Sequence, residues 1–340
     1  MVCSARVLRC RVIVDLRRVY RRHVITGGSR LAQLITAACV AIAATTCGRS
    51  TPSSPSASAS IATTLPPSTR PGSVAGCEVT GSTSGAPLIA DPKSPYYDHL
   101  GLASTADGRS AVGYREVLPH ASAPDGTPLP DGSVGVYYNN GETGGSVWLA
   151  RVAGAGLAPA SPISLNGVAN ALWVADVDVS LVDGKVRVYY LHGAGGTRRF
   201  CVAESSDGVS FQVIALATRF SGTEADPTVV RLENGSWLMA FSRENHTSIG
   251  FARSNDGLTF TPFATAAYGV VPELAITDDG RVRLYVCASG NVESYTSADA
   301  GTTWTREGVV IRNSDVGRRI VCDPTFIGAT RTFVFKVTDA

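Results

Sequence analysis

Residues 226–245 read DPTVVRLENGSWLMAFSREN, and residues 249–263 read IGFARSNDGLTFTPF. Apolar residues alternate here with period two, as at Leu238 and Ala240, and the Asn-Gly at 234–235 is a dipeptide that tight hairpins favour. A Ser-Asn-Asp-Gly turn at 254–257 then precedes Phe260. The stretch therefore predicts a small antiparallel sheet.

The same pattern recurs on both sides. DVDVSLVDGKVRVYYLHG (176–193) is followed by CVAESSDGVSFQV (201–213), and VPELAITDDGRVRLYVCASG (271–290) by ESYTSADAGTTWTRE (293–307). Asp207 and Asp256 are 49 residues apart, Asp256 and Asp299 are 43 apart, and Asp226 and Asp323 are 97 apart, close to two units. A four-stranded unit of this length cannot bury both of its faces alone, so the repeat predicts an all-β fold, a five-bladed β-propeller of four-stranded antiparallel blades. An earlier unit runs from Asp98 to Ala150, and a last, short one starts at Cys322-Asp323-Pro324. Because that last unit supplies only two strands, residues 77–90 are expected to add an outer strand and close the ring, with Cys77 as its staple.

Ahead of the repeats the composition changes. Eight arginines stand in residues 1–30 against one acid, Asp15, and the apolar run LAQLITAACVAIAATTC follows at 31–47. This is the shape of a signal peptide, and its end at Cys47 resembles a lipoprotein leader, with Cys47 as the lipidated residue. An uncleaved signal anchor would put the domain on the same, outer side of the membrane. Residues 48–75 form a Ser/Pro/Thr-rich linker, and residues 76–340 the propeller. Without residues 1–47 the formal charge falls from +2 to about −5. A mildly acidic domain with no cluster of cations excludes nucleic acid as a partner. Export agrees with Cys77, Cys201, Cys287 and Cys322, an even set that predicts two disulfides without fixing their pairing. The histidines 99, 120, 192 and 246 lack metal-ligand spacing, so no cofactor is called for, and a structural calcium would leave no mark in the sequence.

The acids separate into two groups. In a propeller the first strand of each blade starts at the mouth of the central channel and the second returns to it. Asp98, Asp176, Asp178, Glu224, Asp226, Glu273 and Asp323 fall at or just before heads of first strands, so they are expected to converge on the channel. Arg115 and Arg243, read as ends of second strands, are expected on the same rim. Acids facing one another raise each other's pKa while arginines keep others ionised, which is how one site holds a general acid beside an ionised base. Asp207, Asp256 and Asp299 lie in the outer turns, where a structural role as acceptors of turn amides is expected. For each mouth acid the competing role is a cap on its own turn.

SADAGTTW at 297–304 resembles the Asp box of sialidases, and SSDGVSF and SNDGLTF look like shortened copies. DPTVVRLENG, with its leading acid, resembles five-bladed glycoside hydrolases of the arabinanase, xylosidase and fructosidase kind, of glycoside hydrolase family 43 type. The resemblance covers roughly residues 90–340 and implies hydrolysis of a cell-surface or environmental glycan, an oligo- or polysaccharide, by a carboxylate pair at the channel mouth. It implies Asp176 as base, Asp226 as the residue that tunes the acid, and Glu273 as the acid, with Asp178, Glu224, Asp323, Arg115 and Arg243 binding substrate. Glu273 follows Pro272, whereas the family's Glu precedes its Pro; a register one blade earlier makes Asp98 the base and Glu224 the acid. Two rivals are a sialidase-like hydrolase, which needs three arginines on a substrate carboxylate, and a non-catalytic propeller that binds carbohydrate or protein.

Overall fold

Each repeat forms a blade, with one change in how the ring closes. The structure, a computed structural model, describes residues 74–80, 96–171, 174–193, 198–219, 222–243, 246–318 and 320–338. The leader with Cys47, the linker up to residue 73 and Trp173 lie outside the described residues. Among the described residues no helix is long and apolar enough to cross a membrane.

In chain order, β1 (His99–Ser104) and β2 (Val112–Pro119) precede β3 (Ala121–Pro128), β4 (Val134–Asn140) and β5 (Ser146–Ala153). Four short strands follow, β6 (Gly156–Leu157), β7 (Ser161–Pro162), β8 (Ser164–Leu165) and β9 (Val168–Ala169). Next come β10 (Val174–Val182), β11 (Lys185–His192), β12 (Arg199–Ser205) and β13 (Ser210–Arg219). The 226–263 repeat gives β14 (Ala225–Arg231), β15 (Trp237–Arg243), β16 (Ser248–Ser254) and β17 (Thr261–Ala266). The chain ends with β18 (Val270–Ile276), β19 (Val282–Ala288), β20 (Asn291–Ser297), β21 (Thr305–Ile311), a short helix α1 (Asn313–Val316), β22 (Ile320–Ile327) and β23 (Thr332–Thr338).

These strands make five sheets. Blade I is β3-β4-β5 with β6 and β7 both on β5; blade II is β10-β11-β12-β13 extended by β8 and β9; blades III and IV are β14–β17 and β18–β21. Blade V is β22-β23-β1-β2. Both faces of a blade meet a neighbour, so the second strands β11 and β15 are buried along almost their whole length rather than on alternate residues. Five apolar clusters fill the five interfaces between blades. One joins Tyr137 and Leu149 of blade I to Val186 and Val188 of blade II, and another joins Leu100 and Val334 of blade V to Val136 and Tyr138 of blade I.

Ring closure corrects the sequence expectation. The free edge of β23 is taken by β1, from His99 opposite Val337 to Ser104 opposite Thr332, and β2 lies outside it. The unit Asp98–Ala150 is therefore divided between blades V and I, and the place expected for residues 77–90 is taken by β1 and β2: Cys77 is bonded instead to Cys201 on the third strand of blade II, and residues 81–90 lie outside the described residues. The second disulfide joins Cys287 of blade IV to Cys322 of blade V.

The outer turns behave as the sequence suggests. Asp207 accepts the amides of Val209 and Ser210, Asp256 those of Leu258 and Thr259, and Asp299 those of Thr302 and Thr303. Tyrosines of the second strands then tie the Asp207 and Asp256 turns, and the β1–β2 turn at Gly108, to the blade before. Tyr137 donates to Gly208 O at 2.7 Å, Tyr189 to Gly257 O at 2.6 Å and Tyr285 to Gly108 O at 2.9 Å.

Candidate functional site: two rings in the channel

At the head of every first strand the ladder slips, between Ser122 and Asp125, Ala175 and Asp178, Ala225 and Thr228, Val270 and Glu273, and Cys322 and Thr325. The residue after the slip begins has a left-handed backbone: Ala123, Asp176, Asp226, Val271 and Asp323 have φ between 43 and 49°. Such a conformation costs about 1–3 kcal/mol at a non-glycine residue, and its fivefold repetition marks it as part of the architecture. Each bulge aims its first residue at the mouth and its third into the channel. Two rings result.

The upper ring is Ala123, Asp176, Asp226, Val271 and Asp323. Asp226 lies 2.9 Å from His246 Nε2, and that hydrogen bond holds the imidazole above the usual histidine range. Asp323 accepts Lys336 Nζ at 3.0 Å, with Ser122 Oγ and the Ala123 amide each at 3.3 Å. Burial works against the Lys336 charge, but Asp323, helped by Asp98 and Asp226, outweighs it and keeps the ammonium above the ordinary lysine range. Asp176 has no ion-pair partner among the described residues. Burial, then the charges of Asp226 and Asp323, push it up to about 8, against the pull of Lys336 and His246. Tyr96, which packs over Gly145 just before β1, sits in the field of the same three acids, and Asp176 contributes most to holding its phenol protonated.

The lower ring is Asp125, Asp178, Thr228, Glu273 and Thr325, and it is a belt. Asp125 accepts the Val179 amide of blade II, Asp178 the Val229 amide of blade III at 3.1 Å, Thr228 the Leu274 amide of blade IV at 2.9 Å, and Glu273 the Phe326 amide of blade V at 3.4 Å. Thr325 closes the circle with a 2.5 Å hydrogen bond to Asp125. Thr228 also donates to Glu273 at 3.1 Å. Burial pushes Asp125 up to about 6; it pushes Asp178 and Glu273 well above the carboxylate range, with the Asp125 charge adding to both and the Asp178 charge to Glu273. The pocket lined by both rings is small, about 30 Å³. That is room for one or two waters.

Of the acids singled out in the sequence, the structure brings Asp176, Asp226 and Asp323 together at the mouth and places Asp178 and Glu273 one ring below. Asp98 precedes β1, the third strand of blade V rather than the head of a first strand, and stands 4.0 Å from Lys336 Nζ. Glu224 turns back onto the Gly222 and Thr223 amides. Arg115 lies on β2, the outermost strand of its blade, and bonds Ala155 O, so it does not reach the mouth. Arg243 ends β15 at the rim but its Nη1 turns outward to Thr265 Oγ1 at 2.7 Å. The three arginines of a sialidase are thus not assembled from these positions. Sequence reading passed over Asp125, Lys336, His246 and Tyr96. Asp125 was detectable, because Ala123-Pro124-Asp125 repeats the spacing of Val271-Pro272-Glu273.

No protein-family description and no curated protein matches the chain. Among solved structures, RS223 β-xylosidase is similar at 14% identity and a TM-score of 0.47, over 64% of this chain and 91% of that one. A thermostable family-43 glycoside hydrolase is similar at 15% identity and 0.45, over 68% and 97%. A GH43_1 enzyme from Xanthomonas citri is similar at 13% and 0.44, over 64% and 86%. These belong to the group that the sequence itself resembles.

Proposed function

We propose that the chain is a glycoside hydrolase in which Asp176 is the general acid, Asp323 the carboxylate opposite, and Asp226 the residue that tunes Asp176. The observation that carries this reading is the asymmetry of the upper ring. Two aspartates each have a cation beside them, while the third has none and keeps its proton at neutral pH. A protonated carboxyl next to fixed carboxylates is what cleavage of a glycosidic bond needs. Asp176 gives its proton to the leaving oxygen, and Asp323 attacks the anomeric carbon or activates a water, with the Lys336 ammonium 3.0 Å from its carboxylate. Asp226, adjacent to Asp176 in blade order, raises the acid's pKa by its charge. Glu273, tied into the belt, is assigned to the scaffold. Arabinan, xylan and other furanoside-containing or xylose-containing polysaccharides are the first substrates to try, on the sequence resemblance.

The test is release of reducing sugar from arabinan, xylan, fructan and sialyl substrates, with Asp176→Asn and Glu273→Gln side by side. Asp176→Asn is expected to lose about 10²–10⁴-fold in kcat, and Glu273→Gln to keep most of the activity. Loss in Glu273→Gln alone returns the acid role to that residue; no release by the wild-type chain favours the binding propeller. The anomer first formed, followed by proton NMR, tells whether Asp323 attacks or activates water. The arginine-rich leader and Cys47 support export and a lipid anchor on the outer face of the membrane; loss of labelling by a fatty-acid analogue in Cys47→Ser checks the anchor.

A further inference from the structure

The mouth end of the second strand has a task that three blades share. Asn139 of β4, Ser242 of β15 and Cys287 of β19 occupy the same register position, opposite Ser122, Ala225 and Val270. Each accepts the backbone N–H of the upper-ring residue in the next blade. Asp176 donates to Asn139 Oδ1 at 3.1 Å, Val271 to Ser242 Oγ at 2.9 Å, and Asp323 to Cys287 Sγ at 3.3 Å. The bulge removes these amides from the ladder, so the side-chain acceptor fixes where the mouth residue points. Sulfur is the weakest of the three acceptors. In that blade alone the hold is also covalent: Cys287 is bonded to Cys322, the residue before Asp323, and both cysteines are buried.

We propose that the Cys287–Cys322 disulfide is a positioning element of the mouth, which holds the Asp323 carboxylate against Lys336 and releases it on reduction. The electrons come from a dithiol: its two S–H bonds give up two protons and two electrons, it closes to a cyclic disulfide, and the protein S–S bond becomes two thiols. That release lowers catalysis follows only if Asp323 has the role given to it above; that it moves Asp323 from Lys336 does not depend on that reading. The Cys77–Cys201 disulfide has no upper-ring amide on its sulfurs, and its reduction has no such effect.

The chain has three lysines, 93, 185 and 336, so Lys336 can be followed singly by ¹³C NMR after reductive dimethylation of the full chain. The carboxylates that face it are Asp323, Asp98, Asp226 and Asp176. Dithiol treatment, or Cys287→Ala with Cys322→Ala, is expected to lower its titration midpoint by about one pH unit or more and kcat/KM by about tenfold or more. Cys287→Ser with Cys322→Ala restores an acceptor of the kind Ser242 supplies and is expected to recover most of both. Cys77→Ala with Cys201→Ala is expected to move the melting temperature and leave the midpoint in place. An unchanged Lys336 midpoint in folded protein lacking the Cys287–Cys322 bond overturns the proposal. A lowered midpoint in a chain that hydrolyses none of the glycans sustains it and refutes the glycosidase reading instead. If the alanine pair does not fold, the folded wild-type chain reduced by dithiol gives the same answer.

Discussion

Asp176 and Glu273 are both carboxyls held protonated above the ordinary range, and their surroundings give them different work. Glu273 accepts hydrogen bonds on both oxygens, from Thr228 Oγ1 on one and from the Phe326 amide on the other. A carboxyl fixed in that way cannot follow a leaving group. Asp176 stands at the mouth, and no donor from the described residues is placed on its carboxyl oxygens. If it is the acid, it must carry its proton, so kcat/KM should fall as pH rises through about 8. Lys336 pulls that value down. Lys336→Met should therefore carry the alkaline limb to higher pH while kcat drops, because Asp323 loses the ammonium that holds its carboxylate in place at 3.0 Å. A pH–rate series on the two proteins checks both movements; an alkaline limb that stays in place in Lys336→Met separates the limb from Asp176.

At the scale of the element, the connections between blades carry more than the strands themselves. Tyr285 of blade IV donates to Gly108 O in the β1–β2 turn, and so fastens the strands that close the ring. Tyr285→Phe leaves that buried carbonyl unpaired, which should cost about 1–3 kcal/mol in urea unfolding. Tyr137→Phe and Tyr189→Phe, with the same bond inside continuous chain, should cost a similar amount without loosening β1 in hydrogen exchange. The blades were legible in sequence because period two and Asp-Gly turns are local signals. The closure was not read, although its signal was present: Thr105-Ala-Asp107-Gly108 is the turn that elsewhere joins third and fourth strands, with the Gly108 amide on Thr105 Oγ1 as Gly208 and Gly257 are on Ser205 and Ser254. Recognised as such, it makes β1 a third strand and assigns it to blade V. The mouth was half legible. Strand heads brought out Asp176, Asp178, Asp226, Glu273 and Asp323, which line the channel, along with Asp98 and Glu224, which do not; the bulge that divides the five into two rings depends on φ, and the partners Lys336 and His246 arrive from a second strand and a loop that no spacing rule connects to the acids.

At the scale of the whole molecule, the lower belt sets how stability depends on pH. It draws one polar side chain from each blade and joins all five through backbone amides or hydroxyls, at the axis where a slipping blade would first be felt. Three of its members are carboxyls, and among the described residues no cation is paired with them. Unfolded, they titrate near pH 4; folded, burial holds Asp125 at about 6 and Asp178 and Glu273 well above their ordinary values. Above pH 4 the unfolded chain gives up protons that the folded chain keeps, so the stability these groups provide is complete below their unfolded pKa and is lost as pH rises through their folded values. The raised values of Asp176 and His246 act in the same direction. Turn acids act oppositely: backbone amides, Ser210 and Thr303 foremost, hold Asp207 and Asp299 at about 2, and what they contribute is lost only as pH falls below about 4 towards that value. The melting temperature should therefore peak near pH 4 and decline towards pH 8. Asp178→Asn and Glu273→Gln, which place a neutral side chain in the belt at every pH, should flatten that decline while leaving the acid limb unchanged. A wild-type melting temperature that is level or rising between pH 5 and 8 would mean that the belt carries its charges without penalty, and that its carboxyls are ionised in the folded ring.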